Sequence, residues 1–594
     1  MVVPPLRSAA LEALLQGQPV DLDQELLGEA EQQARALAAE GRGGEAARLF
    51  GAAAEGAPWE PDWRRLMWQG AQLQVLQGEE LQHGLGPEAY GYWVEHVEPR
   101  LPDPLQPLGQ SWWLPQADGG WRALHAQGVV LRQPPRQGWL VLVNPDVRLR
   151  LGALQALEAW LQQAEQPLRF TGLYSDEDRL DTDGQRGDPW FKPGWVPESF
   201  WSTPWLESFS CWDVSWWLDQ GLPLPPAPGP ERFGWLLDAL EHQPRLLHVP
   251  QVLAHRLAGS PAAAAAEGQP ARQRAALLQA HLQRSGEPGV VVEPHPHPQL
   301  PEAFALSWPL PPRSRCTVIV PTRDRPDLLG PCLEGLAAAF AAAAPSLDCE
   351  LIVVDNGSQQ ADTAALLEAW QQRLGAQMRV RRDAQPFNWS ALNNAAAAEC
   401  SGELLLFLNN DTRPAADGWL LRLAAQALRP AVGCAGALLL YEDGSVQHGG
   451  TVLGMHMLAG HAYVGLALQN PVHRGRLQCL TGWGAVTGAC LMVRREVFER
   501  LGGFDEAFPV EGNDVEFCLR LDALGYRQVV DPSVCFVHRE SQSRKRRNTA
   551  TQVAAMRLIR ARWGERLRSS APWWPQACSP HHSDGRPLGL EHLL

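Results

Sequence analysis

Lysine is almost missing from this chain of 594 residues: Lys192 and Lys545 are the only two, and arginine carries the remaining positive charge. Acidic side chains still outnumber basic ones, 66 to 51, for a net charge of −15. A general nucleic-acid binder is expected to show a basic footprint, so no nucleic-acid partner is expected. No run of about 18 apolar residues occurs, which excludes a membrane-spanning helix on sequence grounds. Met1 to Gln16 holds a single arginine and no sustained apolar core with a cleavage site, so no secretory signal is expected. None of the 11 cysteines forms a CxxC pair, which argues against structural zinc. Nine of them lie between Cys316 and Cys535, mostly in apolar runs such as Ala489–Met492, the pattern of reduced, buried thiols. A cytoplasmic compartment follows as the expectation.

Hydrophobic residues make up 45% of the chain, and its length allows several domains with sizeable cores. Three stretches differ in pattern. From Leu11 to about Gln77 the chain is alanine-rich and helical, and Glu31 to Glu55 reads as two short helices around Gly41–Gly44. One such hairpin has no convincing second copy, so a helical cap or docking element is expected rather than a repeat array. Between Pro102 and Pro312, Pro, Trp and Gly accompany short strands. Trp139–Val143 is an apolar run ending in Asn144-Pro145-Asp146, with a helix expected over Leu151–Ala164. Phe170–Tyr174 reads as a strand followed by an acidic loop, Ser175–Asp178. The alternating His and Pro at 294–298 read as a solvated linker edge.

After Arg315 strands and helices alternate. Strands are expected at Cys316–Val320 (stopped by Pro321), Glu350–Val354, Met378–Arg381 and Leu404–Leu408. Helices are expected at about Asp327–Ala344, from Thr363, and at Ser390–Glu399. This alternation implies an α/β domain with a mostly parallel sheet and right-handed crossovers. Ligands of such sheets bind beyond the carboxyl ends of the strands, where Asp355–Ser358 and Asn409–Asp411 fall.

Asp355 ends an apolar strand ahead of Asn-Gly-Ser; it can accept an N–H from a nucleobase, or simply form a tight turn. Asp411 follows Leu404–Leu408 and offers a rigid oxygen ligand to Mg²⁺ or Mn²⁺; the alternative is a cap for the helix near Asp417. Asp514 opens a packed helix, where the macrodipole favours its charge; it is a candidate general base or a capping residue. His538 closes the apolar strand Val534–Val537 at the same sheet edge as Asp411, a second metal contact if the two meet. Arg544–Arg547 is dense positive charge that could clamp phosphates or touch an anionic membrane surface; solvated surface charge is the plainer reading.

Together these pieces carry a likeness. The stretch from Cys316 to Trp563 resembles family 2 glycosyltransferases of the GT-A fold, especially those of O-antigen and other surface-polysaccharide synthesis. The matching segments are Val318–Thr322, Val354–Ser358, Phe387–Asn394, Gly402–Thr412, Ala485–Arg494, Gly502–Asp505 and Asn513–Arg520. The resemblance implies that Asp355 contacts the base of a nucleotide-sugar and that Asp411 is the metal-binding member of the Asp-x-Asp element. Asp514 would deprotonate the acceptor hydroxyl, and His538 would help hold metal or diphosphate. Pro321, Thr322, Asn394 and Asn410 would line the donor site, with Thr487 and Gly488 near sugar or acceptor. One departure is Asn409 at the first Asp-x-Asp position. The middle stretch resembles the later half of a first, degenerate transferase domain, with Asn144–Asp146 in the Asp-x-Asp place and no nucleotide-binding half ahead of it.

The expected layout is therefore a helical region over 1–100, a degenerate GT-A-like domain over 101–312, the transferase domain over 313–570 and a tail over 571–594. The implied activity is inverting transfer from a UDP- or dTDP-sugar to a glycan or lipid-linked acceptor, with Mn²⁺ or Mg²⁺, in the cytoplasm or at the inner membrane face. The alternative is an inactive glycan-binding or scaffolding protein. A nucleotidyltransferase is disfavoured, because Pro321–Pro331 lacks a glycine- and lysine-rich phosphate loop.

Overall fold

The structure is a computed structural model. It describes residues 90–91, 93–94, 98 and 108–587, apart from short gaps at 117–119, 127–128, 164–168, 259–268, 456–457, 540–549, 569 and 581. The expected N-terminal helices, the Arg544–Arg547 cluster and most of the 571–594 tail's last third lie outside the described residues.

Two sheet-centred bodies follow one another. In the second, four parallel strands stand side by side: Met378–Arg382, Leu347–Asp355, Ser314–Thr322 and Leu404–Leu408. Helices Pro326–Ala343, Ala361–Leu374 and Trp389–Ala397 make the crossovers. The sheet continues through Cys490–Arg494 (antiparallel to Leu404–Leu408), Val432–Leu440, Arg527–His538 and Thr412–Pro414. Strands Ser314–Thr322, Leu347–Asp355 and Leu404–Leu408 are buried almost throughout. That double-sided cover is why they read as continuous Val, Ile and Leu rather than as an alternating pattern.

The strands run longer than their apolar runs. Ser314–Thr322 passes through Pro321, where a stop was expected. Pairing with the Leu404–Leu408 strand ends at Ile319–Phe407, so Pro321 has one strand neighbour, Val354. That is the edge condition under which a strand accepts proline.

The first body repeats the second. Trp112–Pro115, Trp139–Val143, Phe209–Asp213, Gly172–Leu180, Leu246–Leu257 and Val147–Leu149 follow in that spatial order. Their successive pairings are parallel, antiparallel, antiparallel, parallel and antiparallel. The series beginning at Ser314–Thr322 has the same five relations in the same order. The bodies differ ahead of it: Trp112–Pro115 is flanked by the antiparallel strands Trp121–Ala123 and Val130–Leu131, where the second body has two parallel strands with crossover helices.

Two expectations for the first body fail. Ser175–Asp178 is no loop; it lies inside the Gly172–Leu180 strand, and all four residues are fully buried. Burial is tolerated because each carboxylate finds a partner: His248 for Asp176 at 2.7 Å, Lys192 for Glu177 at 3.0 Å, and His255 and Arg186 for Asp178, both at 2.5 Å. The 294–298 strip is not wholly a solvated linker either. Pro294 closes the strand Val291–Pro294 against Phe304–Ser307, and His295 Nε2 lies 3.1 Å from the Gln478 carbonyl.

Candidate functional site

The second body's parallel strands leave a switch point between Ser314–Thr322 and Leu404–Leu408, from which the connections diverge to opposite sides. At their carboxyl ends, Asn410 Nδ2 donates to Thr322 Oγ1 at 2.9 Å and bridges that point. Thr322 is in register with Asp355 on the next strand. Asp355 is buried, and its Oδ1 accepts the Ser358 N–H at 2.9 Å, a turn that Gly357 permits with φ +74°. The Asn356 amide donates to the carbonyls of Asp383 and Gln385 at 2.9 and 2.8 Å, fixing the adjoining loop. Pro321, Thr322, Asp355 and Asn410 thus share one strip of the sheet's carboxyl edge.

Asp411 and His538 meet because Thr412–Pro414 turns back antiparallel along the end of Arg527–His538, with Thr412 paired to His538. His538 Nε2 lies 3.2 Å from Asp411 Oδ1, and both side chains are about nine-tenths buried. Among the described residues no N–H or O–H points at that oxygen. The capping alternative for Asp411 does not apply: helix Trp419–Ala427 is entered from Gly418 without a side-chain cap.

The other face of the imidazole explains the contact. Gln447 Nε2 donates to the His538 carbonyl at 3.2 Å, which turns its Oε1 toward His538 Nδ1 at 2.7 Å. An amide oxygen can only accept, so Nδ1 carries a proton, and in the neutral form of the ring the lone pair lies at Nε2. In that tautomer a carboxylate oxygen and a lone-pair nitrogen lie side by side. Neighbouring ligands of an octahedral ion at about 2.1 Å stand about 3 Å apart, a spacing that fits a Mg²⁺-like cation between them. The donor set, one carboxylate and one imidazole, suits Mn²⁺ as well. Among the described residues no group of three or more His, Cys, Asp or Glu could hold a metal, so the remaining ligands would come from substrate and water.

Asp514 lies in the first turn of helix Asn513–Ala523, entered from Gly512 at φ +75°. It does not cap that helix across a turn. Its Oδ2 accepts the N–H of Gly488 at 2.8 Å, and its Oδ1 that of Val515 at 2.8 Å. Thr487 is buried beside it, with Oγ1 accepting the Ala489 N–H at 3.3 Å.

The two halves of the site are joined by Trp389. Its indole N–H donates to Asn409 Oδ1 at 3.2 Å, while its ring edge lies where a Cβ on Gly488 would approach within 3.2 Å. Asn409, the first Asp-x-Asp position, is thus held by Trp389. Its carbonyl accepts from Thr412 Oγ1 at 2.7 Å, so it braces the turn. Asn394 braces as well: its amide donates to the Phe504 carbonyl at 2.8 Å and Glu506 Oε1 at 3.1 Å, and accepts the Phe504 N–H at 2.9 Å. These contacts commit it to the 503–506 loop.

Trp389 and Gln447 were not among the residues picked from the sequence. Trp389 falls inside the matching Phe387–Asn394 segment; Gln447 lies in the looped stretch 441–481, which joins short strands, and carried no signal of its own. In that loop His448 and His461 bring their Nδ1 atoms within 2.6 Å. Burial, then the nearby His461 and His538, holds the His448 imidazole well below its ordinary range.

Residues 317–502 match the family described as Glycosyl transferase family 2. That stretch is a family 2 glycosyltransferase domain. With the strand order above, its fold is GT-A. The O-antigen biosynthesis protein RfbC of Myxococcus xanthus is 38% identical over 393 residues, 65% of this chain and 29% of its own length. Protein y4gI of Sinorhizobium fredii is 34% identical over 403 residues, 66% of this chain and 43% of its own. An N-acetylglucosaminyl-diphospho-decaprenol L-rhamnosyltransferase of Mycobacterium tuberculosis is 31% identical over 142 residues, 22% of this chain and 45% of its own. The chain spans less than half the length of each of these relatives.

The first body carries a second version of the corner where Asp411 meets His538. Leu257 N–H donates to the Asp146 carbonyl at 2.8 Å, as Arg539 N–H does to that of Asp411 at 3.0 Å. Val147 pairs with Arg256 as Thr412 pairs with His538. Where the transferase domain sets an imidazole, the first body sets a guanidinium, 3.7 Å from Asp146 and joined to Glu302 at 2.5 Å.

Proposed function

We propose that this protein is an inverting glycosyltransferase that moves a sugar from a UDP- or dTDP-sugar to a glycan or lipid-linked acceptor in surface-polysaccharide synthesis. The observation that carries the reading is the buried pair Asp411 Oδ1 and His538 Nε2, 3.2 Å apart, with no hydrogen-bond donor on that oxygen among the described residues. Mn²⁺ or Mg²⁺ held by them would neutralise charge on the departing diphosphate, usually a large term in such transfers.

The chain's own residues divide the remaining work. Asp355, Thr322 and Asn410 line the strand ends where the nucleoside would sit, with Pro321 beside them and Asn394 acting through the 503–506 loop. Thr487 and Gly488 border the sugar or acceptor. Asp514, held by the Gly488 N–H, takes the proton of the acceptor hydroxyl. The oxygen so freed attacks the anomeric carbon, and the bond from that carbon to the diphosphate oxygen breaks on the opposite face. The proton ends on Asp514 and the electron pair on the leaving nucleoside diphosphate.

The first body is a packing or acceptor-holding domain in this reading, because Arg256 fills its metal corner. No described helix is long and apolar enough to cross a membrane. A lipid-linked acceptor would be met at the inner membrane face, by peripheral attachment of a cytoplasmic protein.

The test is a screen of nucleotide-sugars for transfer and donor hydrolysis, comparing wild type with Asp514→Asn. Expected is a loss of about 10²–10⁴-fold in the variant with donor affinity retained. Equal background rates in both would leave the glycan-binding or scaffolding alternative.

A further inference from the structure

We infer that Gln447 is a positioning residue for the metal corner: it fixes the tautomer of His538 so that Nε2, not Nδ1, presents its lone pair to the cation. This rests on the metal reading above. Gln447 is buried on the short strand Val446–His448, and one amide grips both ends of a single residue, the carbonyl and the ring of His538. The amide can take only one orientation, since the reverse would set its oxygen against the His538 carbonyl oxygen. The ring then has no freedom to swap its proton to Nε2, where it would compete with a metal ion. A ligating histidine tied through its other nitrogen is typically worth about 10–100-fold in metal affinity. In the first body Arg256 stands at the His538 position and has no tautomer to fix.

The test uses the full chain and Mn²⁺ alone, free ion being read by electron paramagnetic resonance, with thermal melting and metal-free nucleoside diphosphate binding as controls. Gln447→Met keeps the volume and removes the acceptor; Gln447→Glu keeps an acceptor for Nδ1–H. Expected is about 10–100-fold weaker Mn²⁺ binding in the Met variant, a clearly smaller loss in the Glu variant, whose second oxygen forgoes the bond to the His538 carbonyl, and unchanged metal-free nucleotide binding. Two wild-type-like variants would overturn the inference, and so would equal weakening in both, which would mean packing alone. Should the Met variant fail to fold, the Glu variant decides by retention or loss. A wild type that binds no Mn²⁺ sinks the metal reading itself, a failure distinct from the other two.

Discussion

Gly488 donates its N–H to Asp514 at 2.8 Å and, by lacking a side chain, lets the Trp389 ring lie against the same backbone. A Cβ there would sit 3.2 and 3.3 Å from two ring carbons and 3.6 Å from Asp514 Cβ. Gly488→Ala should therefore push the ring by a few tenths of an ångström and loosen its bond to Asn409. The expected stability cost is about 1–3 kcal/mol, typical of overpacking. Because both halves of the site hang on Trp389, transfer should fall about 10-fold or more, since small misplacements of reacting groups are costly. Steady-state kinetics beside a denaturant melt checks this; full activity with unchanged stability would remove Trp389 from the account.

Asp411 and His538 predict a trade between stability and metal binding. With the His538 ring neutral, the two are facing acceptors, which is unfavourable without a cation. In Asp411→Asn the new amide N–H can reach His538 Nε2, and a hydrogen bond of about 1 kcal/mol replaces the mismatch. The metal-free variant should melt higher than wild type, while stabilisation by added Mn²⁺ should vanish. Paired melts with Mn²⁺ and with chelator measure both signs at once. A variant less stable than wild type in chelator would contradict the lone-pair assignment.

The strand ends were legible in the sequence because parallel strands buried on both faces leave unbroken apolar runs that stop at polar clusters. Asp355, Asp411 and His538 were placed at or just beyond strand ends that way, which is where they lie. Gln447 was not, since its contacts are with the carbonyl and ring of His538, 91 positions away, and no local pattern encodes that. The acidic strand Ser175–Asp178 was misread because charge runs normally mark loops. Its partners, Lys192, His248 and His255, come from other strands and turns, and a one-dimensional pattern cannot show that they neutralise it. The expected parallel sheet was half the sheet: the antiparallel return of Thr412–Pro414, which brings Asp411 to His538, rests on three residues too short to announce a strand.

The doubled corner gives a stoichiometric prediction. Arg256 lies within salt-bridge distance of Asp146, Glu177 and Glu302, so a guanidinium already holds that corner. Calorimetry should count one Mn²⁺ per chain, and Asp146→Ala should not change it. Arg256→Ala strands buried carboxylates and should cost about 3–5 kcal/mol by urea unfolding. A second Mn²⁺ site lost in Asp146→Ala would show instead that the first body binds metal.

Where the two bodies meet, Glu198 Oε1 accepts from Arg429 Nη2 and Arg527 Nε, each at 2.8 Å, and Arg429 also forks onto Glu287 at 2.8 and 2.9 Å. Glu198 is fully buried. Burial alone would raise its pKa, but Arg527 and Arg429 outweigh it and hold the carboxyl below the ordinary value of 4.5. A carboxyl whose folded-state pKa is depressed contributes stability that is present above the unfolded pKa and lost as pH falls through the folded one. Wild type should thus lose stability from about pH 4.5 downward, with both bodies unfolding together. Arg429→Met leaves Glu198 and Glu287 buried with one cation fewer and should cost about 3–5 kcal/mol at pH 7. Glu198→Gln should lower stability at pH 7 and flatten the acid limb, because the titrating group is gone. Urea unfolding at a series of pH values separates these outcomes. A Gln variant that matches wild type at pH 7 and keeps the full acid slope would show that the interface does not depend on this ion cluster.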